Sequence, residues 1–325
     1  TSLPSARFVD CRFTNVDTVV VSCADVAAPG LNEFYRCEGI GTWGFVENQH
    51  TRWDGSGVRA SNNIWRDCIG TRQQPNSGVQ GTGTMFYFAA EKTGFNRLHS
   101  LYPTICRIDR NTATDIESVA VASSANASSA VFVDIRYPSP LSTGTLTYNK
   151  VHRVKNLEGH EDANAVYGKL LGGGMEVAYN WFKDCGAAYV SDGQKDGSEC
   201  TVILFKEGAH KPNDLYELNI HHNLIEDMPD GIPMVKVDQQ LCRVRVWQNH
   251  FRNWRNILGG AVNTDATHAG VIRFTERAKQ IEVYSNLFEN IDMAGSFLLV
   301  NFHNLKTTAT SGLVSFPDTD FSKWI

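Results

Sequence analysis

Five residues with acid, base or cationic side chains stand at matched distances ahead of asparagines. Arg136, Tyr167, Lys236 and Arg273 each lie thirteen residues before Asn149, Asn180, Asn249 and Asn286, respectively. Lys206 lies seventeen before Asn223, and looping out KPND (211–214) brings it to the same offset. The equivalent earlier positions are Val19, His50 and Gly83, so the series holds only in the later part of the chain. If the asparagines are equivalent points of a repeat, these side chains form one column with neighbours about 5 Å apart. Like charges that close repel unless an anion or carboxylates lie between them. Glu207, Asp238 and Glu276 could be those carboxylates, leaving a row of solvated edge charges. Otherwise the column is a surface for an anionic ligand. A lysine crowded by cations has a lowered pKa and can act as a base, with Lys206 and Lys236 equal candidates. Tyr167 can protonate a leaving oxygen. His210, just past the Lys206 segment, is the better placed of the histidines.

A second constellation is carboxylate-based. The Gly-rich stretch YVSDGQKDGSEC (189–200) carries Asp192, Asp196 and Glu199, and Glu158 and Glu161 precede it by one repeat. Hydrolysis of a glycosidic bond needs one protonated and one ionised carboxyl group. Ordinary Asp and Gly turn chemistry accounts for the same stretch. Weaker features complete the inventory. GHEDAN (159–164) sets His160 beside Glu161 and Asp162, and IHHN (220–223) pairs His221 with His222. Adjacent strand residues face opposite sides, which makes the latter pair a poor metal site. LLGGGM (170–175) lacks the Lys-Ser/Thr of a phosphate loop.

The elements that must position these residues follow from a repeat. Asn, then a large apolar residue two places on and another three further, fits Asn32, Asn63, Asn96, Asn149, Asn180, Asn223, Asn249 and Asn286. Ala6 replaces Asn in a ninth copy. The gaps are 31, 33, 53, 31, 43, 26 and 37 residues, and the 53 has room for one degenerate copy. A period near thirty with insertions and strand-like runs such as CTVILF (200–205) and CRVRVW (242–247) predicts a β-solenoid rather than helical repeats. Asn suits a sharp corner because it tolerates the left-handed conformation, and its amide can bond to the Asn of the next coil. The apolar residues after it then point inward.

Bulk properties agree with one large globular unit. The chain has 325 residues, 42% hydrophobic and 20% charged, with a net charge of -5 that argues against binding nucleic acid through a basic surface. No apolar run approaches the roughly 18 residues of a membrane span. Eight cysteines without a C-x-x-C pair predict buried free thiols rather than zinc or redox chemistry. No Pro/Ser-rich linker divides the chain, so a single domain over 1–325 is expected. The first repeat starts at residue 6, without room for an end cap, which fits one domain of a longer chain or capping by a partner. FPDTDFSKWI could close the other end.

Coils of irregular length, corner asparagines and stacked apolar interiors resemble the right-handed parallel β-helix proteins, among them pectate-lyase-like and chondroitinase-B-like polysaccharide lyases and bacteriophage tailspikes. The likeness is one of architecture and spans nearly the whole chain. It implies an all-β, single-domain right-handed parallel β-helix of about nine to ten coils. It also implies a polysaccharide substrate lying along an outer face, an extracellular (secreted or virion-borne) location and, for a spike, a homotrimer. By that resemblance the Lys206, Lys236, Arg273 and Tyr167 column would perform β-elimination on a uronate polymer. Arg136, His210, Glu207, Asp238 and Glu276 would help to bind it, with Ca²⁺ held by carboxylates as in some lyases. Asp192, Asp196, Glu199 and Glu161 would instead serve a tailspike-type hydrolase, and a non-catalytic carbohydrate-binding β-helix is the third reading. Trp43, Trp53 and Tyr189 are candidate sugar-stacking residues.

Overall fold

Alternation of apolar and polar residues in short segments, repeated every few tens of residues, lets each segment pair with its equivalent one coil on. In the computed structural model the described residues are 6–15, 31–40, 44–47, 62–73, 83–89, 105–118, 130–136, 143–156, 163–169, 174–186, 201–206, 217–228, 233–238, 241–255, 257–258, 261–262, 270–274, 278–292, 299–302 and 313–315. They contain strands and no helix. Three parallel sheets of ten, nine and eight strands account for all but one small antiparallel pair, Ile257–Leu258 with Ala261–Val262. The first sheet runs from Ala6–Val9 to Leu313–Ser315, the second from Arg12–Thr14 to Leu287–Asp292, and the third from Gly44–Glu47 to Val300–Phe302. From Leu31–Tyr35 to Val300–Phe302, eight successive coils each contribute one strand to each sheet in turn, the arrangement of a parallel β-solenoid.

Registers convert sequence-distant residues into neighbours. Inside the first sheet, Phe8, Phe34, Trp65, Ile108, Leu146, Val177, Ile220, Val246 and Val283 follow one another. Phe8 and Phe34 stack at 4.9 Å, and Phe251 stacks on Phe288 at 5.2 Å in the second sheet. Burying each large apolar side chain contributes roughly 1.5–3 kcal/mol. The third sheet adds Val133, Val166, Ile203, Val235 and Ile272, with Ile135, Gly168, Phe205, Val237 and Phe274 two residues on. Gly168 is required by close approach: a Cβ there would lie 2.0 Å from the Phe205 ring.

The corner between the first and second sheets carries the asparagine ladder. Each Oδ1 accepts from the backbone N and Nδ2 of the previous coil's Asn, along Asn111, Asn149, Asn180, Asn223, Asn249 and Asn286, at 2.9 to 3.0 Å. Each Nδ2 also donates to an interior carbonyl, as from Asn149 to Ile108 at 3.0 Å. Asn111, followed by buried Ala113 and Ile116, is the copy within the 53-residue gap. At the other end the expected ladder is corrected. Asn32 and Asn63 are strand residues paired with each other, five places before the corner, and the corner positions are Cys11, Cys37 and Cys68. Phe34 and Trp65 are interior in the first sheet, so the same spacing arises there from a shifted frame. The thiols act in place of the amides, Cys37 donating to Phe8 O and Cys68 to Phe34 O at 3.6 Å. Asn96 lies outside the described residues.

A second correction concerns the left-handed residue. It is the one ahead of the ladder position: Asp10, Arg36, Asp67, Arg110, Tyr148, Tyr179, His222, Gln248 and Ser285 all have φ between 51° and 59°. Asn keeps its amide inside the corner because its predecessor makes the turn. Side chains on that turn project outward, so the fold displays a continuous external column of non-glycine residues. Five of the cysteines, Cys11, Cys37, Cys68, Cys106 and Cys185, are free, as expected.

Candidate functional site

The outward corner column changes chemistry along its length. It begins with alternating charges, Arg36 donating to Asp10 at 2.6 and 2.8 Å and Arg110 to Asp67 at 2.9 Å. It continues as a stack of rings. Tyr148 and Tyr179 lie 4.9 Å apart at 6°, and Tyr179 and His222 4.8 Å apart at 26°. Both tyrosines are exposed, at 54% and 42%. Since their faces meet each other, a ligand along the column would touch ring edges and phenolic tips. Neighbouring coils lie about 4.8 Å apart, so the rings repeat at close to that interval along the column.

These rings line a groove of about 680 Å³ with Arg110, Thr112, Lys150, Trp181, Leu224 and the ladder asparagines 111, 149 and 180. The described lining residues include two cations, a histidine and no carboxylate. Arg110 shares its charge with Asp67 and with Asp109 at 3.2 Å. Lys150 is exposed and has no ion-pair partner among the described residues. Trp181 is held from behind. Its Nε1 donates at 2.7 Å to Glu226, a carboxylate buried on the outer side of the second sheet and also paired with Arg252.

Behind His222 stands a hydrogen-bonded chain. His221 Nδ1 is 2.8 Å from His222 Nδ1, and His221 Nε2 is 3.0 Å from Glu176 Oε1. The two imidazoles face the same side because His222 is left-handed, breaking the alternation that a strand would impose. Burial pushes the His221 imidazolium below its ordinary pKa; Glu176 opposes this, and His222 and Arg245 add to it. The His221 ring also stacks on Trp247 at 4.2 Å, with Arg245 over that indole and Tyr284 beyond it.

The residues singled out from sequence are distributed differently. Tyr167, Lys236 and Arg273 do share a column on the outer face of the third sheet, but Leu204, not Lys206, stands between Tyr167 and Lys236. Lys206 belongs two residues on, in register with Arg136, Lys169 and Asp238. The column residue Leu204 lies nineteen places before Asn223, so six residues must loop out and four fall short by two. Tyr167, Lys236 and Arg273 are 5%, 4% and 6% exposed, and Leu204 is fully buried, so this column is covered. Lys236 Nζ lies 3.8 Å from Asp238, the edge pairing weighed from sequence. Glu207, His210, Glu276, Asp192, Asp196, Glu199, Glu158, Glu161, His160, Trp43, Trp53 and Tyr189 lie outside the described residues. Among the described residues, no three His, Cys, Asp or Glu side chains are grouped to hold a metal ion. No helix among them is long and apolar enough to cross a membrane.

Sequence reasoning missed Tyr148, Tyr179, Arg110 and Lys150. For Arg110, Tyr148 and Tyr179 the available signal was the place ahead of a ladder Asn, which turns the corner and faces solvent; Lys150 follows its Asn and opens the next strand. Comparison of the chain with protein families, with curated proteins and with solved structures returned no match.

Proposed function

We propose that the protein is a single-domain right-handed parallel β-helix that binds an acidic polysaccharide along the corner groove and cleaves it by β-elimination. The observation that carries this reading is the lining itself: stacked rings spaced one coil apart, the imidazole of His222, Lys150 without an ion-pair partner among the described residues, and no carboxylate among the described lining residues. Elimination from a uronate needs a cation to neutralise the sugar carboxylate and one base to take the proton beside it. Hydrolysis needs two carboxyl groups, which the described lining residues do not supply. His222 is the base, and Lys150, two coils from it, reaches along the groove as the neutralising charge. The covered Tyr167, Lys236 and Arg273 column is left to pairing rather than catalysis in this reading. Action outside the cell goes with a polysaccharide substrate, and a homotrimer with the tailspike resemblance.

Incubation with a panel of uronate polymers tests it. Elimination leaves an unsaturated sugar that absorbs in the ultraviolet, so absorbance rising with new chain ends supports the proposal. New reducing ends without absorbance would make the protein a hydrolase, and neither signal with retained binding would make it a carbohydrate-binding module.

A further inference from the structure

The geometry points to a proton relay, Glu176–His221–His222, that fixes His222 as the tautomer with a bare Nε2 facing the groove. This inference rests on the groove being the reaction site only for its consequence, not for its geometry. An ionised carboxylate accepts hydrogen bonds and cannot donate them. Glu176, 3.0 Å from His221 Nε2, therefore places the His221 proton on Nε2. His221 Nδ1 is then a lone pair. At 2.8 Å from it, His222 Nδ1 must be the donor, and neutral His222 is left with its lone pair on Nε2. Two neighbours thus dictate, in sequence, the state of a ring that neither would control alone.

The burial pattern suits this division of labour. His222 is exposed on the column, whereas His221 is only 7% exposed, and Glu176 reaches it from the strand one coil earlier. The groups facing the pair are Glu176 and Tyr179 from that earlier coil and Arg245 and Trp247 from the following strand; the groove cations Lys150 and Arg110 lie two and three coils further along. Burial and Arg245 disfavour a lasting positive charge on the His221 imidazole, and Glu176 is the counter-charge available to it.

His222 Nε2 takes the proton beside the uronate carboxylate, the freed electron pair forms the carbon–carbon double bond, and the glycosidic oxygen leaves with its bonding pair. That oxygen takes a proton from groove water. As His222 gains its proton, its Nδ1 proton passes to His221, and the charge comes to rest beside Glu176. Return of one proton from the pair to the hydroxide restores the neutral state. His222 is a catalytic residue on this account, and His221 and Glu176 are positioning residues.

The test uses the full chain with ¹⁵N-labelled histidine, since ring nitrogen shifts report the tautomer without any substrate. His222 is assigned by loss of its signals in His222→Ala, and His250, paired with Glu289 at 2.8 Å on the second sheet, is the internal control. The expected result is an Nδ1–H tautomer at His222 in the wild type and a shift toward Nε2–H in Glu176→Gln, with His250 unchanged. An Nε2–H tautomer in the wild type, or one indifferent to Glu176→Gln, overturns the relay. In turnover, His222→Ala should lose roughly 10²–10⁴-fold and regain part of it with added imidazole. Glu176→Gln should move the acidic limb of the kcat/KM profile, which a purely structural residue would not. Undiminished turnover in His222→Ala overturns the base assignment. A wild type with the stated tautomer but no eliminative product would refute the proposed function while leaving the relay intact.

Discussion

Removing one rung from the middle of the ladder gives a quantitative forecast. Asn180 is 2% exposed and makes four hydrogen bonds through its side chain: it accepts from Asn149 N and Nδ2 and donates to Leu146 O and Asn223 Oδ1, all at 2.9 Å. In Asn180→Ala, the Asn149 N–H is left buried without its acceptor, while Asn149 Nδ2 keeps Ile108 O. One orphaned buried donor and three further lost bonds come to roughly 3–7 kcal/mol. Since a domain is stable by only about 5–15 kcal/mol, the variant should be close to unfolding at room temperature. Asn286 is the comparator. It is half-buried and is the last asparagine of the ladder, so water can replace what Asn286→Ala removes, and a cost under about 2 kcal/mol is expected. Urea titration gives both values, and amide exchange at Asn149 locates the damage, because a solenoid transmits it mainly to neighbouring coils. Equal destabilisation by the two variants, or less than about 1 kcal/mol for Asn180→Ala, would refute the ladder as a source of stability.

Further outcomes follow from the same geometry. Gly168→Ala should destabilise by about 1–3 kcal/mol, read from the urea midpoint, because a methyl group must displace the Phe205 ring. Lys150→Met should weaken binding of a uronate oligosaccharide in calorimetry while leaving the unfolding midpoint within about 0.5 kcal/mol, and the wild-type affinity should fall as salt rises. Because burial holds the folded His221 below its ordinary pKa of about 6.5, stability tied to it is complete above that pH and declines as pH falls through and below it. Replacing His221 with Gln should flatten that part of the stability–pH curve.

The fold was legible where one residue type does two jobs. From Asn149 to Asn286 the corner amide and the inward residues two and five places on, Phe182 and Cys185 for example, coincide with the structural ladder. Before that, the ladder is built from thiols, and Asn32 and Asn63 imitate its spacing from the neighbouring strand, because phenylalanine and tryptophan fill the interior there too. Register within the third sheet was less legible. Placing Lys206 requires the number of residues that bulge from the coil between it and Asn223, and side-chain type does not encode that length. The groove was hidden for a different reason: alternation says which strand residues face out, but a left-handed corner residue obeys no alternation, and so His221 and His222 come together against the strand rule.

We expect an acidic glycan to lie along the outward corner column. The most direct measurement is a crystal structure of the His222→Ala variant with a bound uronate oligosaccharide. The account predicts sugar units in step with the coils beside Tyr148 and Tyr179, with a carboxylate against Lys150. An oligosaccharide bound instead over the third sheet, near Lys236 and Arg273, would contradict it.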